Sequence, residues 1–194
     1  MTVTAIDPHA ALVVIDLQAG IVAGNTAPHP SADVVARCAA LADAFRAAGQ
    51  LVVLVHVSFR PDGADAVPGR TDAPGPAGPR PAGWDVIVGD VGGPAGIGDD
   101  VVVTKRNWGA FFGTDLDVQL RRRGVTQVVI CGIATTKGVE STARQAHERG
   151  YHVVIPTDAV TDRDAGDHEH SVTRVFPLIA QTGTTAQVLD LVAR

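Results

Sequence analysis

Three places in the chain combine residue types and positions suited to chemistry. Asp16 directly follows the apolar run "ALVVI" (11–15). A carboxylate at the carboxyl end of a buried strand loses part of its hydration, which lifts its pKa toward the range useful for general acid–base work. Lys105 closes another apolar run, "DVVVTK" (100–105). A lysine beside that carboxylate would hold it ionised and present positive charge to an anionic substrate or intermediate. The third place is "VVICGIATTKGVESTARQA" (128–146), which rises as a strand, turns through small residues and enters a helix at Gly138. An α/β enzyme presents a nucleophile at such a turn, but glycine has no side chain to attack with. What the turn offers instead is a helix start whose backbone N–H groups point at the rim, a ready site for an anion. Asp16 and Lys105 also have structural readings, as a cap on loop amides and a solvated strand end.

Other polar residues weigh less. Lys137 stands at the mouth of the turn and reads as a solvated lysine. Ser141 and Thr142 fall inside the helix, so neither replaces a nucleophile. Cys131 lies within the strand before the turn and Cys38 on the apolar face of a helix, both positions of a buried, inert thiol. Two such cysteines make neither a disulfide framework nor a zinc site. In "DHEH" (167–170), His168 and His170 are two apart and hence on different helix faces, so solvated histidines are expected. His56 has no ligand-spaced partner, and no GxxxxGK[ST] or GxGxxG loop follows a strand. Neither a metal nor a nucleotide cofactor is expected.

The elements that must position these residues alternate along the chain. "ALVVID" (11–16) and "QLVVLVHVSF" (50–59) are continuous and rich in β-branched residues, as strands buried on both faces are. Between them, "SADVVARCAALADAFRAAG" (31–49) puts Val34, Val35, Cys38, Leu41, Ala42 and Phe45 on one helical face, with Ser31 as N-cap and Gly49 as terminator. Further strands are expected at 100–105, 126–133 and 151–159, with a short edge strand near "IAQTG" (179–183). Helices are expected at 114–124, capped by Thr114, and at 138–150, 165–179 and 184–192. Residues 60–100 are dense in Pro and Gly and break this rhythm. The same alternation continues on both sides, so they form a surface excursion within one domain, 1–194, of the kind that makes lids and binding loops. Strand–helix alternation at this spacing predicts a single-domain α/β fold, a Rossmann-like three-layer α/β/α sandwich on a mainly parallel sheet. Ligands in such sheets gather outside the carboxyl ends of the strands, where the strand order switches.

The bulk composition fits that picture. The 194 residues are 45% hydrophobic and 19% charged, with a net charge of −5, enough for a real core in one domain. No basic cluster exceeds "RRR" (121–123), which argues against a nucleic-acid surface. The longest apolar runs are strand-sized, too short for a membrane span. "MTVTAIDPHA" lacks the basic start and apolar stretch of a signal peptide, so a cytoplasmic location is expected.

With Asp16, Lys105 and the 128–146 turn in place, the sequence resembles the isochorismatase-like hydrolases, the superfamily that also contains nicotinamidases and N-carbamoylsarcosine amidases. The resemblance rests on "VVIDLQ" (13–18) and on "VTKRNWGAFFGTDLDVQLRRRGVTQVVICGIATTKGVESTARQAHERGYHVVIPTDA" (103–159), in their order and spacing, and covers nearly the whole chain. It implies a six-stranded parallel sheet and assembly as a homodimer or homotetramer. It also implies an Asp–Lys–Cys triad at the sheet rim. The Asp maps onto Asp16 and the Lys onto Lys105, while the Cys maps onto Gly138, because the family's "T-x-x-C-V-x-x-T-A" reads "TTKGVESTA" (135–143) here. A non-proline cis peptide of the family maps onto Ile133–Ala134, so that Ala134 and Thr135 shape the site. Pocket walls are expected from Gln18, Trp84, Trp108, Phe111 and Phe112, the two phenylalanines being equally suited to the core. Arg60, Arg70, Arg80 and Arg106 are the loop arginines that would meet a carboxylate. The metal-binding residues of nicotinamidases are not matched.

The glycine at 138 closes the thioester route of the cysteine-using members. True isochorismatases also lack the cysteine; they hydrolyse a vinyl ether, the aspartate protonating the enol carbon before water adds. The expectation is a cofactor-independent hydrolase of a small molecule, with Asp16 as general acid, Lys105 tuning it and Gly138 leaving room for a bulkier substrate. The alternative is a catalytically silent small-molecule-binding or assembly protein on the same scaffold.

Overall fold

The side chains of β1 (Ala10–Ile15) are buried on both faces of a sheet, which is why its sequence is continuously apolar rather than alternating. The computed structural model describes residues 2–67, 69–73, 80–92 and 98–194; the remainder of the 60–100 excursion lies outside the described residues. After β1 come α1 (Ala19–Val22), α2 (Ser31–Ala47), β2 (Leu51–Val57), α3 (Gly89–Gly92) and β3 (Val101–Lys105). The second half holds α4 (Leu116–Arg122), β4 (Gln127–Ile133), α5 (Glu140–Glu148), β5 (His152–Pro156) and β6 (Val160–Thr161). The chain closes with α6 (Ala165–His170), α7 (Phe176–Ile179), β7 (Gln181–Gly183) and α8 (Thr185–Val192).

The named strands of the described residues pair in parallel, in the order β3-β2-β1-β4-β5-β7. That path has the six strands expected; the two-residue β6 beside the far end of β4 makes a seventh. Chain order moves outward from β1 through β2 to β3, then returns to β4 on the other side of β1. The switch point therefore lies between the carboxyl ends of β1 and β4.

The two faces of β1 feed two cores. Ala10, Leu12 and Val14 pack with Val34, Cys38, Leu41 and Phe45 of α2 and Val188 of α8. Ala11, Val13 and Ile15 pack with Leu116 and Leu120 of α4, Ala143 and Ala146 of α5 and Phe176 of α7. This is the three-layer sandwich that the alternation predicts.

Local details differ from expectation where side chains found other partners. Ser31 is the first residue of α2 rather than its cap; Pro30 takes that place, and the Ser31 hydroxyl donates to Val22 O at 2.7 Å, tying α2 to α1. Thr114 precedes the start of α4 by two residues, its Oγ1 accepting from Leu116 N at 3.2 Å and donating to Ala110 O at 2.5 Å. The helix expected from Gly138 begins earlier, as a wide π turn over Thr135–Val139 that runs into α5. The helix expected over 165–179 is interrupted by a second π turn, Ser171–Val175. No helix among the described residues is long and apolar enough to cross a membrane.

Candidate active site

Chain direction changes sharply at the end of β1. Asp16 has φ 53°, the left-handed region that aspartate tolerates better than most residues. Its N–H donates to Val55 O and its carbonyl accepts from Gln18 N. Its carboxylate meets the lysine at the end of β3, with Lys105 Nζ 2.8 Å from Asp16 Oδ2. Lys105 is itself buried and also donates to Asn107 O at 3.1 Å and Trp108 O at 2.9 Å, so its three ammonium hydrogens have three acceptors. Asp16 Oδ1, by contrast, is buried with no hydrogen-bond partner. Burial raises the Asp16 pKa to about 6; Lys105, through charge and hydrogen bond, pulls the other way without cancelling it, and His56 adds a smaller lowering. One oxygen is thus fixed by the lysine, and the other is left to give or take a proton.

These two residues and Gly138 line one 420 Å³ cavity at the carboxyl ends of the strands. Trp84, Trp108 and Ala134 line it too, as do Arg80 and Arg106. A larger hollow, 690 Å³, opens at the opposite end of the sheet around Arg46 and Asp100, away from the Asp16–Lys105 pair. The site is placed by its carboxylate and lysine, not by volume.

Gly138 lines the cavity, but the space along its Cα–Cβ direction is taken. A Cβ at this position would stand 2.7 Å from Ile15 Cγ2, 3.1 Å from Asp16 Oδ2 and 3.6 Å from Trp108 O. Ile15 is β-branched and held in the core, so its methyl cannot swing aside cheaply. The position that the resemblance assigns to a nucleophile is crowded at its root by β1 itself. The turn is equally occupied. Lys137 N and Val139 N both donate to Ala134 O, and Thr136 N donates to Asp162 Oδ2 at 2.6 Å. An internal carboxylate, Asp162, thus takes one N–H of the turn from behind, on the side away from the cavity. The Ile133–Ala134 peptide is cis, as the resemblance implied. Thr142 is buried and committed, its Oγ1 donating to Gly138 O and accepting from Ala110 N.

Three expected wall residues are engaged elsewhere. Gln18 is fully buried, its amide clamped to Val57: Nε2 donates to Val57 O at 2.9 Å and Oε1 accepts from Val57 N at 2.7 Å. Phe111 is core, packed near Tyr151 with ring centroids 5.9 Å apart. The Thr135 hydroxyl turns away from the cavity to His168 Nδ1, 2.9 Å away. His168 is thereby buried, not solvated as expected, because the threonine and the edge-on ring of His29 replace its water. Its pKa is lowered by burial and by His29. Phe112 is exposed, outside the cavity. Cys38 and Cys131 are both buried in the α2-side core.

Residues 10–187 match the isochorismatase domain model. The chain belongs to the isochorismatase family. It is 45% identical over 183 residues to the uncharacterized isochorismatase family protein YecD of Escherichia coli O157:H7, covering 93% of this chain and 94% of that one. A solved isochorismatase family protein from Burkholderia thailandensis superimposes with a TM-score of 0.92 at 46% identity, covering 98% of each chain. Streptothricin hydrolase of Streptomyces noursei is 39% identical over 159 residues, 81% of this chain and 56% of that protein.

Sequence reasoning missed two residues of the segment after β5, Arg163 in the wall of this cavity and Asp162 behind it. Arg163 lines the cavity, its guanidinium held by Asn25 O at 2.8 Å and Ile21 O at 2.9 Å. Asp162 is fully buried behind the turn. Burial works to raise its pKa, but hydrogen bonds from Thr136 and Arg163 and the charge of Lys137 outweigh that and hold the carboxyl below its usual value. The only signal was "TDRD" (161–164), two charges and a cap squeezed between a strand and a helix. Of the four loop arginines, Arg60 pairs with Asp62 and Arg70 is exposed off the cavity, whereas Arg106 is tied to Asp65 at 2.6 Å. Arg80 lies 4.1 Å from the ring centroid of Trp84 and 5.1 Å from that of Phe59.

Proposed function

We propose that this protein is a cofactor-independent hydrolase of a small anionic molecule, with Asp16 as the proton donor and no covalent intermediate. The observation that carries the reading is the buried, unpartnered Asp16 Oδ1, set beside an oxygen already fixed by Lys105. A carboxyl whose pKa is raised to about 6 is poised to deliver a proton near neutrality. For a vinyl ether, Asp16 protonates the enol carbon and leaves an oxocarbenium ion. Water adds to that ion and gives a proton back, and the hemiketal collapses to a ketone and an alcohol. Lys105 stabilises the carboxylate that forms between the two proton transfers. No side chain at 138 takes part.

The walls support the charge of the substrate. Arg80, Arg106, Lys137 and Arg163 line the cavity together with Lys105, against Asp16 as the one carboxylate among its described lining residues. Arg80 has an aromatic platform but no carboxylate partner among the described residues, which suits it to a substrate carboxylate. The relative named streptothricin hydrolase supports hydrolysis as the reaction class.

The test is a screen of wild-type protein against carboxylate-bearing enol ethers, isochorismate included, and against amides, with Asp16→Asn beside it. Turnover by wild type and none by Asp16→Asn, with folding and ligand binding retained, is the expected result. Full activity in Asp16→Asn removes the assignment. Binding without turnover by wild type leaves the silent binding protein.

A further inference from the structure

We propose that Asp162 is a positioning residue, acting through Thr136 to lock the 134–138 turn against Asp16. The proposal rests on the reading of Asp16 as the proton donor. Asp162 follows β6, the short strand that pairs with the far end of β4, where the turn departs. Its backbone is pinned on the other side by a two-way bridge with Ala27, Asp162 N donating to Ala27 O at 3.0 Å and Ala27 N to Asp162 O at 2.8 Å. From that fixed position Oδ2 accepts twice from one residue, Thr136 N at 2.6 Å and Thr136 Oγ1 at 2.7 Å. Oδ1 accepts from Arg163 N at 2.7 Å and lies 3.7 Å from Lys137 Nζ. A buried carboxylate with this set of donors is a rigid, charge-assisted anchor.

What the anchor holds is the backbone nearest the acid. The Cα–Cβ direction of Gly138 points at Ile15 and Asp16 Oδ2 so closely that no side chain fits unshifted. The turn therefore covers one side of the Asp16 carboxylate. The charged and titratable groups around the two carboxylates are distinct: Lys105 and His56 act on Asp16, while Lys137 and His168 act on Asp162, which meets Arg163 only through its backbone N–H. Loosening the Asp162 anchor should thus reach Asp16 through the turn, as hydration, rather than through shared charge.

The experiment compares wild type with Asp162→Asn, Thr136→Val and Thr136→Ser, the last keeping the hydroxyl. Two readouts are taken: the Asp16 carboxyl titration by 13C NMR, which needs no substrate, and kcat, KM and the pH profile on any substrate that wild type turns over. Asp162→Asn and Thr136→Val are expected to lower the Asp16 pKa toward the ordinary carboxylate value. They should also reduce kcat roughly tenfold or more with KM little changed, since the group misplaced is one of position and not of binding. Thr136→Ser should restore both. Lower thermal stability with an unmoved Asp16 titration in both variants would make Asp162 a structural residue only and overturn the proposal. If wild type turns over nothing, the proton-donor reading fails while the titration still decides the anchor. If Asp162→Asn does not fold, the Thr136 pair decides alone.

Discussion

Substituting Gly138 by alanine tests whether the space beside its Cα is open or already filled. The new methyl would lie 2.7 Å from Ile15 Cγ2, well inside van der Waals contact, and 3.1 Å from Asp16 Oδ2. Overpacking of this kind costs about 1–3 kcal/mol. Against it stands the gain from replacing a glycine in helical backbone, about 1 kcal/mol. The net effect is a loss of roughly 0–2 kcal/mol, too small to judge alone, so a double-mutant cycle with Ile15→Ala is required. Ile15→Ala by itself should cost about 2–5 kcal/mol as a core truncation. With the Cγ2 methyl gone, Gly138→Ala should turn stabilising by roughly 1 kcal/mol, which makes the coupling between the two sites about 1–3 kcal/mol. Urea denaturation of the four proteins gives the number. Additivity within about 0.5 kcal/mol would refute the reasoning. It would mean that the position is open after all, and that Gly138→Cys could install a thiol without disturbing β1.

Other outcomes follow from the same geometry. If Asp16 donates the proton, kcat should fall tenfold per pH unit above about 6, leaving about 3% of the limiting rate at pH 7.5; a rate that rises with pH through this range would make Asp16 a base. Because its folded pKa of about 6 exceeds the unfolded value near 3.8, the stability Asp16 contributes is fully present below pH 3.8 and lost as pH rises through 6. Asp16→Asn should lack that loss, as measured by thermal melts across pH 4–7. Lys105→Met strands Asp16 without its cation; it should cost about 3–5 kcal/mol at neutral pH and drive the Asp16 pKa higher still, and an unchanged titration would contradict the pairing. Gln18→Leu leaves Val57 N–H and C=O without their clamp and should cost about 1–3 kcal/mol with KM unaffected; a raised KM at unchanged stability would restore Gln18 to the pocket wall.

The architecture was legible because its signal is redundant. Each inner strand is a continuous apolar run, and the alternation with helices leaves few ways to arrange them. The placement of Asp16 and Lys105 followed from the same signal: both end apolar runs, and parallel strands bring such ends to one rim. Side-chain commitment was less legible. Gln18 and Thr135 stand at the rim by sequence, yet each finds a partner, Val57 and His168, that lies far along the chain. Pairing at separations of 39 and 33 residues leaves no local pattern to read. The two-residue β6 has no periodicity at all, so Asp162 behind the turn went unseen.

Gly138 shows most clearly where a one-dimensional reading stops. A missing side chain in the sequence implies a void, but a void beside a β-branched neighbour is unstable and tends to be filled. Here the strand that carries Asp16 fills it, with Ile15 against the Gly138 backbone and Asp16 next to it. A side chain at 138 would thus do more than add an atom to the site. With glycine there the turn sits against Asp16 Oδ2, while Lys105 keeps that oxygen fixed and the other stays unpartnered. A cysteine at 138 would interpose at least a methylene between turn and carboxylate and push them apart. The bare backbone at Gly138 and the raised pKa of Asp16 are on this argument one feature, and a side chain at 138 should diminish the shift.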